Sequence, residues 1–348
     1  MFTRTKLLAA VMLGVLPLIS HSVATSPVPR AGVWALAPGL PAPDLGPAAL
    51  TCTSSTFCLA TDAYVRTPAG WAPPNGLIGE VWRGHRWYPT NSVPLHGPGA
   101  APVTFLGCIT DTDCVGMTSG AYSSHWDGST WSPFSHVEKS SMANIYAFSC
   151  NTHFCLAEDG STGAALVFNG RAWSEPAAIS KVLDNYAGAL SCPRLAAECV
   201  LTSSTGNTAV VDRGAVVKKA HLTGEFMAGE TYAFSCGSPS SCFIGGYVKG
   251  KASYWTWDGQ RWSAPQPEII GGIRPYTPGV VSCANTTFCG MFTIPQGWSV
   301  FDGRKWPTDR LDPKFVATSV NALSCPAPDF CMAIAVRDRV TGIWTWRD

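Results

Sequence analysis

Fourteen cysteines fall into seven close pairs, and this repeat constrains the fold more than any other feature of the sequence. The pairs, each expected to form a disulfide, are Cys52 with Cys58, Cys108 with Cys114, Cys150 with Cys155, Cys192 with Cys199, Cys236 with Cys242, Cys283 with Cys289, and Cys325 with Cys331. Their first cysteines stand 42 to 56 residues apart, and five of the six intervals lie between 42 and 47. A period of 40 to 50 residues indicates a propeller or a solenoid. One repetitive domain is therefore expected, although 348 residues would otherwise suggest two domains.

A second landmark repeats in phase with the cysteines. It occurs as WDGSTW (126–131), FNGRAW (168–173), WDGQRW (257–262) and FDGRKW (301–306), with a variant WRGHRW at 82–87. Asp-Gly and Asn-Gly are strong hairpin signals, so we expect a two-residue turn with the flanking aromatic residues as diagonal neighbours on one sheet face. The repeat that begins at Cys192 lacks these aromatic residues and has Val217 in place of the tryptophan.

Each repeat is predicted to contain four short strands. An inner strand leads to the first cysteine, a tight turn leads to a second strand, and a third strand and an outer strand flank the Asp-Gly turn. Four antiparallel strands per repeat predict an all-β, seven-bladed β-propeller with one disulfide per blade. Periodic tryptophans in such a repeat are expected to pack between blades.

The two ends of the chain predict how the ring closes. The last repeat stops at Asp348, before an outer strand, whereas residues 32–38 resemble that missing strand. Trp34 also precedes Cys52 by 18 residues, in register with the other repeats. The N-terminal strand is therefore expected to complete the last blade.

Residues 1–24 are interpreted as a secretory signal peptide. Arg4 and Lys6 precede an apolar run of 14 residues (7–20), which is shorter than the roughly 20 residues that span a bilayer. We therefore expect a secreted, extracellular protein whose mature chain, 25–348, is one propeller domain and a monomer without a membrane span. Export favours disulfides over paired zinc ligands, for which the cysteine spacing is also too long.

Composition excludes several classes of function. The chain has 24 basic and 23 acidic residues, and this balance argues against a nucleic-acid partner. The sequence lacks a phosphate loop, a dinucleotide glycine motif and a nucleophile elbow, and the histidines show no metal-ligand spacing. No cofactor and no metal are expected. Asp111 and Asp113 are interpreted as a solvated turn and not as a calcium site.

The Ser-Cys strand end, the second cysteine about six residues later and the repeated aromatic–Asp-Gly–Trp turn together resemble secreted bacterial seven-bladed propellers. Such proteins are related to the sialidase-like and galactose-oxidase-like (kelch) propellers, and the resemblance implies the fold over nearly the whole mature chain. It does not imply an activity, because the catalytic signatures of those enzymes are not matched. Asp127 and Gly128 are adjacent where the sialidase Asp-box has a residue between them.

Candidate binding residues come from two parts of the repeat. Between Cys58 and Trp82 the first repeat holds an insertion, whose Trp71 and Arg66 we expect to lie on a stiff, proline-rich loop over the channel mouth. The other candidates lie where inner strands begin or on loops of the same side. Four residues before each first cysteine stand Ala48, Thr104, Tyr146, Gly188, Tyr232, Gly279 and Asn321, and nearby are Tyr186, Glu230, Asp159 and Arg337.

Three functions are compatible with this pattern. Aromatic residues at the mouth and the missing catalytic signatures favour a binding module for a glycan or a cell-envelope polysaccharide. The alternative is a polysaccharide lyase or glycoside hydrolase, in which Tyr146, Tyr232 and Glu230 would be catalytic. A third possibility is an extracellular scaffold for protein interactions.

Overall fold

The structure is a computed structural model, and most residues from 32 to 348 are described in it. The described residues are 32–39, 45–67, 70–72, 76–94, 101–137, 144–160, 163–183, 188–222, 233–248, 251–267, 277–294, 297–301, 303, 306, 315, 317–337 and 340–348. The signal peptide expected at 1–24 lies outside them.

Almost all regular structure is β-strand. The strands of the first half are β1 (Val33–Leu36), β2 (Leu45–Ser54), β3 (Phe57–Thr67), β4 (Gly70–Ala72), β5 (Gly76–Leu77), β6 (Gly79–Trp82), β7 (Trp87–Pro89), β8 (Val93–Pro94), β9 (Val103–Thr110), β10 (Asp113–Thr118), β11 (Tyr122–Trp126), β12 (Ser135–His136), β13 (Ile145–Cys150), β14 (Cys155–Asp159), β15 (Ala165–Phe168) and β16 (Trp173–Ser174). A four-residue helix, α1 (Ala177–Ser180), follows. The strands of the second half are β17 (Gly188–Ser191), β18 (Glu198–Ser203), β19 (Asn207–Asp212), β20 (Ala215–His221), β21 (Ala233–Ser238), β22 (Ser241–Val248), β23 (Lys251–Trp257), β24 (Gln266–Pro267), β25 (Thr277–Asn285), β26 (Phe288–Ile294), β27 (Gly297–Phe301), β28 (Ser319–Ala327), β29 (Phe330–Arg337) and β30 (Val340–Arg347).

These strands form seven antiparallel sheets, which are the predicted blades. In strand order from the inside outward, the blades are β2-β3-β6-β7, β9-β10-β11-β12, β13-β14-β15-β16, β17-β18-β19-β20, β21-β22-β23-β24, β25-β26-β27 and β28-β29-β30-β1. We number them 1 to 7 in this order. Blade 6 has three strands among the described residues, and a small two-stranded sheet, β5-β8, adjoins blade 1. The prediction of an all-β, seven-bladed propeller is confirmed.

The ring closes as the sequence predicts. Strand β1 pairs antiparallel with β30, so blade 7 takes its outer strand from the beginning of the chain and the other three from its end. Trp34 lies opposite Trp346 in this pairing. Each inner strand also contacts the inner strand of the next blade, and β28 of blade 7 contacts β2 of blade 1.

All seven predicted disulfides are present, one in each blade, with the predicted partners. From blade 1 to blade 7 they join Cys52 to Cys58, Cys108 to Cys114, Cys150 to Cys155, Cys192 to Cys199, Cys236 to Cys242, Cys283 to Cys289, and Cys325 to Cys331. No cysteine among the described residues is left free. The prediction of one disulfide per blade is confirmed.

The seven disulfides lie at the same end of the ring, because each joins the end of an inner strand to the start of the second strand. They close short loops whose cysteines are five to seven residues apart in sequence. These crosslinks add stability by restricting the unfolded chain.

Five serines join neighbouring blades beside the disulfides. In each case the serine before a first cysteine accepts a hydrogen bond from the backbone N–H of the first cysteine in the next blade, at 2.9 to 3.0 Å. The pairs are Ser149–Cys192, Ser191–Cys236, Ser235–Cys283, Ser282–Cys325 and Ser324–Cys52. We call this set the serine ring. Blade 2 has Gly107 at the same position, where a Cβ would lie 2.5 Å from the sulfur of Cys150.

The Asp-Gly turns differ in detail from the prediction. The N–H of Asp127 donates to the carbonyl of Thr130 (3.1 Å), so the central residues are Gly128 and Ser129, and only the glycine has a positive φ (97°). The carboxylate of Asp127 instead accepts from the N–H groups of Ser129 and Thr130. The flanking tryptophans, Trp126 and Trp131, lie directly opposite each other. The expectation that they would be diagonal neighbours was therefore wrong.

These opposed aromatic pairs fill the spaces between blades, as expected for periodic tryptophans. Their ring centroids lie 5.2 to 5.8 Å apart. The pairs are Trp82–Trp87, Trp126–Trp131, Phe168–Trp173, Trp257–Trp262 and Phe301–Trp306. In blade 4, which lacks the pair, Val217 stands on the outer strand and is 54% exposed.

Candidate functional site

The candidate site is the channel mouth, which we define as the end of the ring where the inner strands begin. In five blades the register between the inner and second strands shifts four residues before the first cysteine. The shifted residues are Ala48, Thr104, Tyr146, Gly279 and Asn321. Such a β-bulge turns a side chain out of the regular ladder. Five of the seven positions chosen from sequence as mouth residues are thus positions at which the structure breaks its strand register, whereas Gly188 pairs regularly with Ser203 and Tyr232 lies outside the described residues.

Tyr146 is the large aromatic side chain that the described part of the mouth presents to solvent. Its side chain is 61% exposed, whereas its neighbour Ile145 is buried between blades. A Cβ placed on Gly160 would lie 2.2 Å from Cδ2 of Tyr146, so the ring lies directly against the backbone of Gly160. The N–H of Gly160 donates to the carbonyl of Asn144 (2.8 Å), which fixes this backbone beside the start of β13. Tyr146 is therefore a supported aromatic surface.

Asp159 lies beneath this surface and is fully buried. Its Oδ1 accepts a hydrogen bond from the N–H of Asn144 (2.8 Å), two residues before Tyr146. Its own N–H donates to the carbonyl of Ala164 (2.8 Å) and so closes the turn that contains Gly160. The predicted contact of Asp159 with a ligand stays a prediction, whereas its position shows that it holds the two backbone segments that support Tyr146.

Arg337 ends strand β29 of blade 7 at the mouth side. Its guanidinium carbon lies 5.2 Å from the ring centroid of Trp344 and 5.7 Å from that of Phe315. These distances permit cation–π attraction, which favours a guanidinium packed over aromatic faces. Arg337 thus packs against aromatic residues between blades 6 and 7, while Tyr146 belongs to blade 3.

The insertion in blade 1 is a hairpin where a loop was expected. Strand β3 continues past the mouth to Thr67 and pairs with β4, and in this pairing Arg66 lies opposite Trp71. The structure describes the backbone alone at these two positions. Both residues thus belong to a paired ribbon that extends from the second strand of blade 1. The other predicted site residues, Tyr186, Tyr232 and Glu230, lie outside the described residues.

A pair of buried carboxyl groups, Asp62 and Glu80, was not found from the sequence. Asp62 is 1% exposed and Glu80 is 2% exposed, and neither oxygen of Asp62 has a hydrogen-bond partner. Burial raises the pKa of Asp62 to about 7. Burial, together with repulsion from Asp62, raises the pKa of Glu80 to about 8. The sequence does contain a signal that could have revealed this pair. It is the acidic residue within each of two mostly apolar strand segments, CLATD (58–62) and GEVW (79–82).

Glu158 is a third buried acid near the mouth. Its Oε2 accepts a long hydrogen bond from the N–H of Gly188 (3.4 Å), and its Oε1 has no partner. Burial is the main cause that raises the pKa of Glu158 to about 8, and the Gly188 hydrogen bond opposes the shift. Because Gly188 starts the inner strand of blade 4, Glu158 connects blade 3 to the mouth of the next blade.

At the opposite, disulfide end, polar groups contact one another within and between blades. Asp113 accepts from Nε2 of His125 within blade 2 (2.7 Å), and Asp111 accepts from the hydroxyl of Thr53 in blade 1. Arg194 of blade 4 reaches the carbonyl of Cys108 in blade 2 (3.4 Å), and burial lowers its pKa. These contacts tie the ends of inner strands together. In the part of the chain that the structure describes, no group of three or more His, Cys, Asp or Glu side chains could hold a metal ion.

Comparison with solved structures agrees with this architecture. The WD40 repeats of RRP9 match with a TM-score of 0.64 and 11% identity over 91% of this chain and 99% of that chain. YCF48 bound to a D1 peptide matches with a TM-score of 0.60 and 11% identity over 92% and 97% of the two chains. The Pan2 WD40 domain of Neurospora crassa matches with a TM-score of 0.57 and 11% identity over 91% and 96%.

The chain is therefore a seven-bladed β-propeller similar in fold to WD40 propellers. At 11% identity this likeness shows the fold alone. No protein-family model and no curated protein matches the sequence. A propeller scaffold suits binding or interaction, and seven disulfides indicate an oxidising environment. Among the described residues no helix is long and apolar enough to cross a membrane.

Proposed function

We propose that this protein is an exported binding module that recognises carbohydrate at the channel mouth. The observation that carries the proposal is Tyr146, whose exposed ring lies on a β-bulge and against the backbone of Gly160. An aromatic face attracts the partly positive C–H groups of an apolar sugar face. A ring that is already held in place also loses little conformational entropy when a ligand stacks on it.

Other bulge positions of the channel mouth carry groups suited to sugar hydroxyls. Thr104 of blade 2 and Asn321 of blade 7 occupy the equivalent bulges and are exposed. A hydroxyl and an amide can both donate and accept hydrogen bonds, as sugar recognition requires. In this proposal the hairpin with Arg66 and Trp71 borders the mouth from blade 1.

A peptide is the second candidate ligand. YCF48, a propeller of the same fold, has been solved bound to a D1 peptide. An exposed tyrosine also serves protein recognition, because it offers a large contact area at low entropic cost. The carbohydrate proposal is preferred because the ring of Tyr146 is supported as a flat surface and does not line a closed groove among the described residues.

The decisive experiment exposes the oxidised chain, residues 25–348, to a panel of immobilised bacterial and plant polysaccharides. Retention on at least one polysaccharide without release of reducing ends is the expected result. Release of reducing ends would overturn a pure binding role and identify a lyase or hydrolase, with Tyr146, Tyr232 and Glu230 as the first residues to replace. Retention on none, together with capture of extended peptides, would replace carbohydrate by a peptide ligand.

A further inference from the structure

The contact between blade 7 and blade 1, which we call the blade seam, contains two acidic side chains in an otherwise apolar interface. Ala60 of β3 lies opposite Glu80 of β6, and Asp62 is two residues beyond Ala60 on the same strand. Because alternate residues of a strand share a face, Asp62 and Glu80 are diagonal neighbours on the face that carries Ala60. Ala60 packs in one cluster with Met332, Ile334 and Ile343 of blade 7. This face is therefore turned towards blade 7.

Asp62 has no compensating partner among the described residues. Both carboxylate oxygens of Asp62 are buried without a hydrogen-bond donor, and the charge of Asp62 repels that of Glu80. An ionised carboxylate in such a place costs several kcal/mol in solvation, and two adjacent ones also repel each other. A proton on either carboxyl removes much of that cost, because a neutral carboxyl is cheaper to bury and does not repel its neighbour.

The other charged side chains that the structure describes on the packed strands are directed elsewhere. Arg347 of β30 lies over the ring of Phe330 at the disulfide end, with its guanidinium carbon 4.9 Å from the centroid. Arg337 of β29 lies over Trp344, on the face of blade 7 turned towards blade 6. On β7 the titratable side chain is Tyr88, which is exposed, and β2 and β28 contribute apolar side chains such as Leu50 and Ala322 to this cluster. Among the described side chains, no cation neutralises the pair.

We propose that Asp62 and Glu80 form a proton-operated latch in the blade seam. The latch keeps the seam closed while at least one of the two carboxyl groups carries a proton, and it loosens the seam when both are ionised. The seam is the place where the first and last blades meet, so its loosening opens the ring. The latch also lies at the base of the blade 1 hairpin, since β3 continues from Asp62 to Thr67. This inference does not depend on the proposed carbohydrate ligand.

Hydrogen–deuterium exchange with localisation to peptides tests the latch. After correction for intrinsic rates, opening of β3 and β30 is expected to rise between about pH 5 and pH 8, by up to about tenfold per pH unit for each proton released, and to level off at higher pH, where the closed pair is also ionised. In Glu80→Gln the rise should be much smaller, since the amide cannot ionise. Glu175→Gln, which changes an exposed acid, is the matched control and should behave as the wild type. An equal rise throughout the ring, or an unchanged rise in Glu80→Gln, would overturn the proposal.

A second measurement decides the matter even where a variant fails to fold. Carbon-13 NMR of the wild-type protein labelled at aspartate and glutamate carboxyls, with Asp62 and Glu80 assigned, is expected to show a proton on at least one of these two groups above about pH 6, whereas ordinary carboxyls titrate near pH 4. Absence of a proton from both groups at that pH would overturn the latch. A rise in melting temperature with calcium or magnesium ions at pH 8 in the wild type, absent from Glu80→Gln, would overturn it too, by showing that the pair holds a cation in place of a proton.

Discussion

Trp34 of β1 lies directly opposite Trp346 of β30, the last strand of the chain that is described. The indole of Trp34 also packs on Phe292 and Trp298 of blade 6 and on Phe315, with ring centroids 5.0 to 5.2 Å away. The closing strand is therefore held by backbone pairing to blade 7 and by aromatic contacts to blade 6. One short strand thus fastens the ring through two of its blades.

Replacing Trp34 by alanine should weaken this closure strongly. A buried tryptophan that becomes alanine costs about 3–5 kcal/mol through lost burial and the cavity that it leaves. Val33→Ala, on the same strand but 66% exposed, is the matched control and should change little. Thermal and denaturant unfolding measure both variants. Equal effects of the two substitutions would show that the closing strand is not anchored by its tryptophan.

The serine ring makes a prediction about the contacts between blades. In Ser149→Ala or Ser282→Ala the N–H of the next cysteine, Cys192 or Cys325, loses its acceptor. A buried donor without a partner costs about 1–3 kcal/mol, and unfolding in urea should report this loss. Ser240→Ala removes a hydroxyl that is exposed and bonded only within its own turn, so it should be nearly neutral. If the ring serines behave like Ser240, these hydrogen bonds do not hold the blades together.

Stability should fall as the pH rises from about 5 to 8. Glu158 has a pKa of about 8 in the folded protein against an ordinary value of 4.5, so the folded state binds more protons than the unfolded state in this range. Each such group contributes a slope of up to about 1.4 kcal/mol per pH unit, with the lower stability at the higher pH. Glu158→Gln should make the fall shallower, as measured by urea unfolding at several pH values. A fall of unchanged steepness would mean that Glu158 is ionised at neutral pH in the folded protein.

Gly160→Ala tests the support of Tyr146 without removing the tyrosine. The added methyl carbon would lie 2.2 Å from the ring as it now stands, so the ring must move. Binding of a retained polysaccharide should weaken by about tenfold, which corresponds to about 1.4 kcal/mol. Titration calorimetry with that polysaccharide measures the change. Binding equal to that of the wild type would separate Tyr146 from the ligand.

Much of the fold was predictable because the sequence repeats the same pattern of cysteines and aromatic residues. Seven similarly spaced cysteine pairs predict seven similar units. The last repeat lacks an outer strand and Trp34 is in register with the other repeats, and together these features predict the closing strand. The Asp-Gly turns were not fully predictable. Their centre is Gly128 and Ser129, and the side chain of Asp127 accepts the N–H groups of Ser129 and Thr130. Dipeptide preferences do not reveal such a side-chain contact.

The site was less predictable, because mouth positions are set by register and burial across the sheet. Tyr146 could be placed by counting back from Cys150, since in five blades the register shift lies four residues before the first cysteine. That Asp159 supports it from below, and that Asp62 and Glu80 meet in the blade seam, depends on which strand face each occupies. To assign a residue to a strand face, one must know where the β-bulges lie and which blade packs against that face. The sequence of a single repeat shows neither.

The most direct test of the proposed binding role is the affinity of Tyr146→Ala for the polysaccharide that the wild-type protein retains. Tyr88→Ala, which removes a tyrosine that is 37% exposed on an outer strand away from the mouth, is the matched control. We predict that Tyr146→Ala lowers the affinity by at least about tenfold, in keeping with the loss of one stacking contact, and that Tyr88→Ala leaves it unchanged. Equal affinities of the wild type and Tyr146→Ala, with both proteins folded, would contradict carbohydrate binding at the channel mouth.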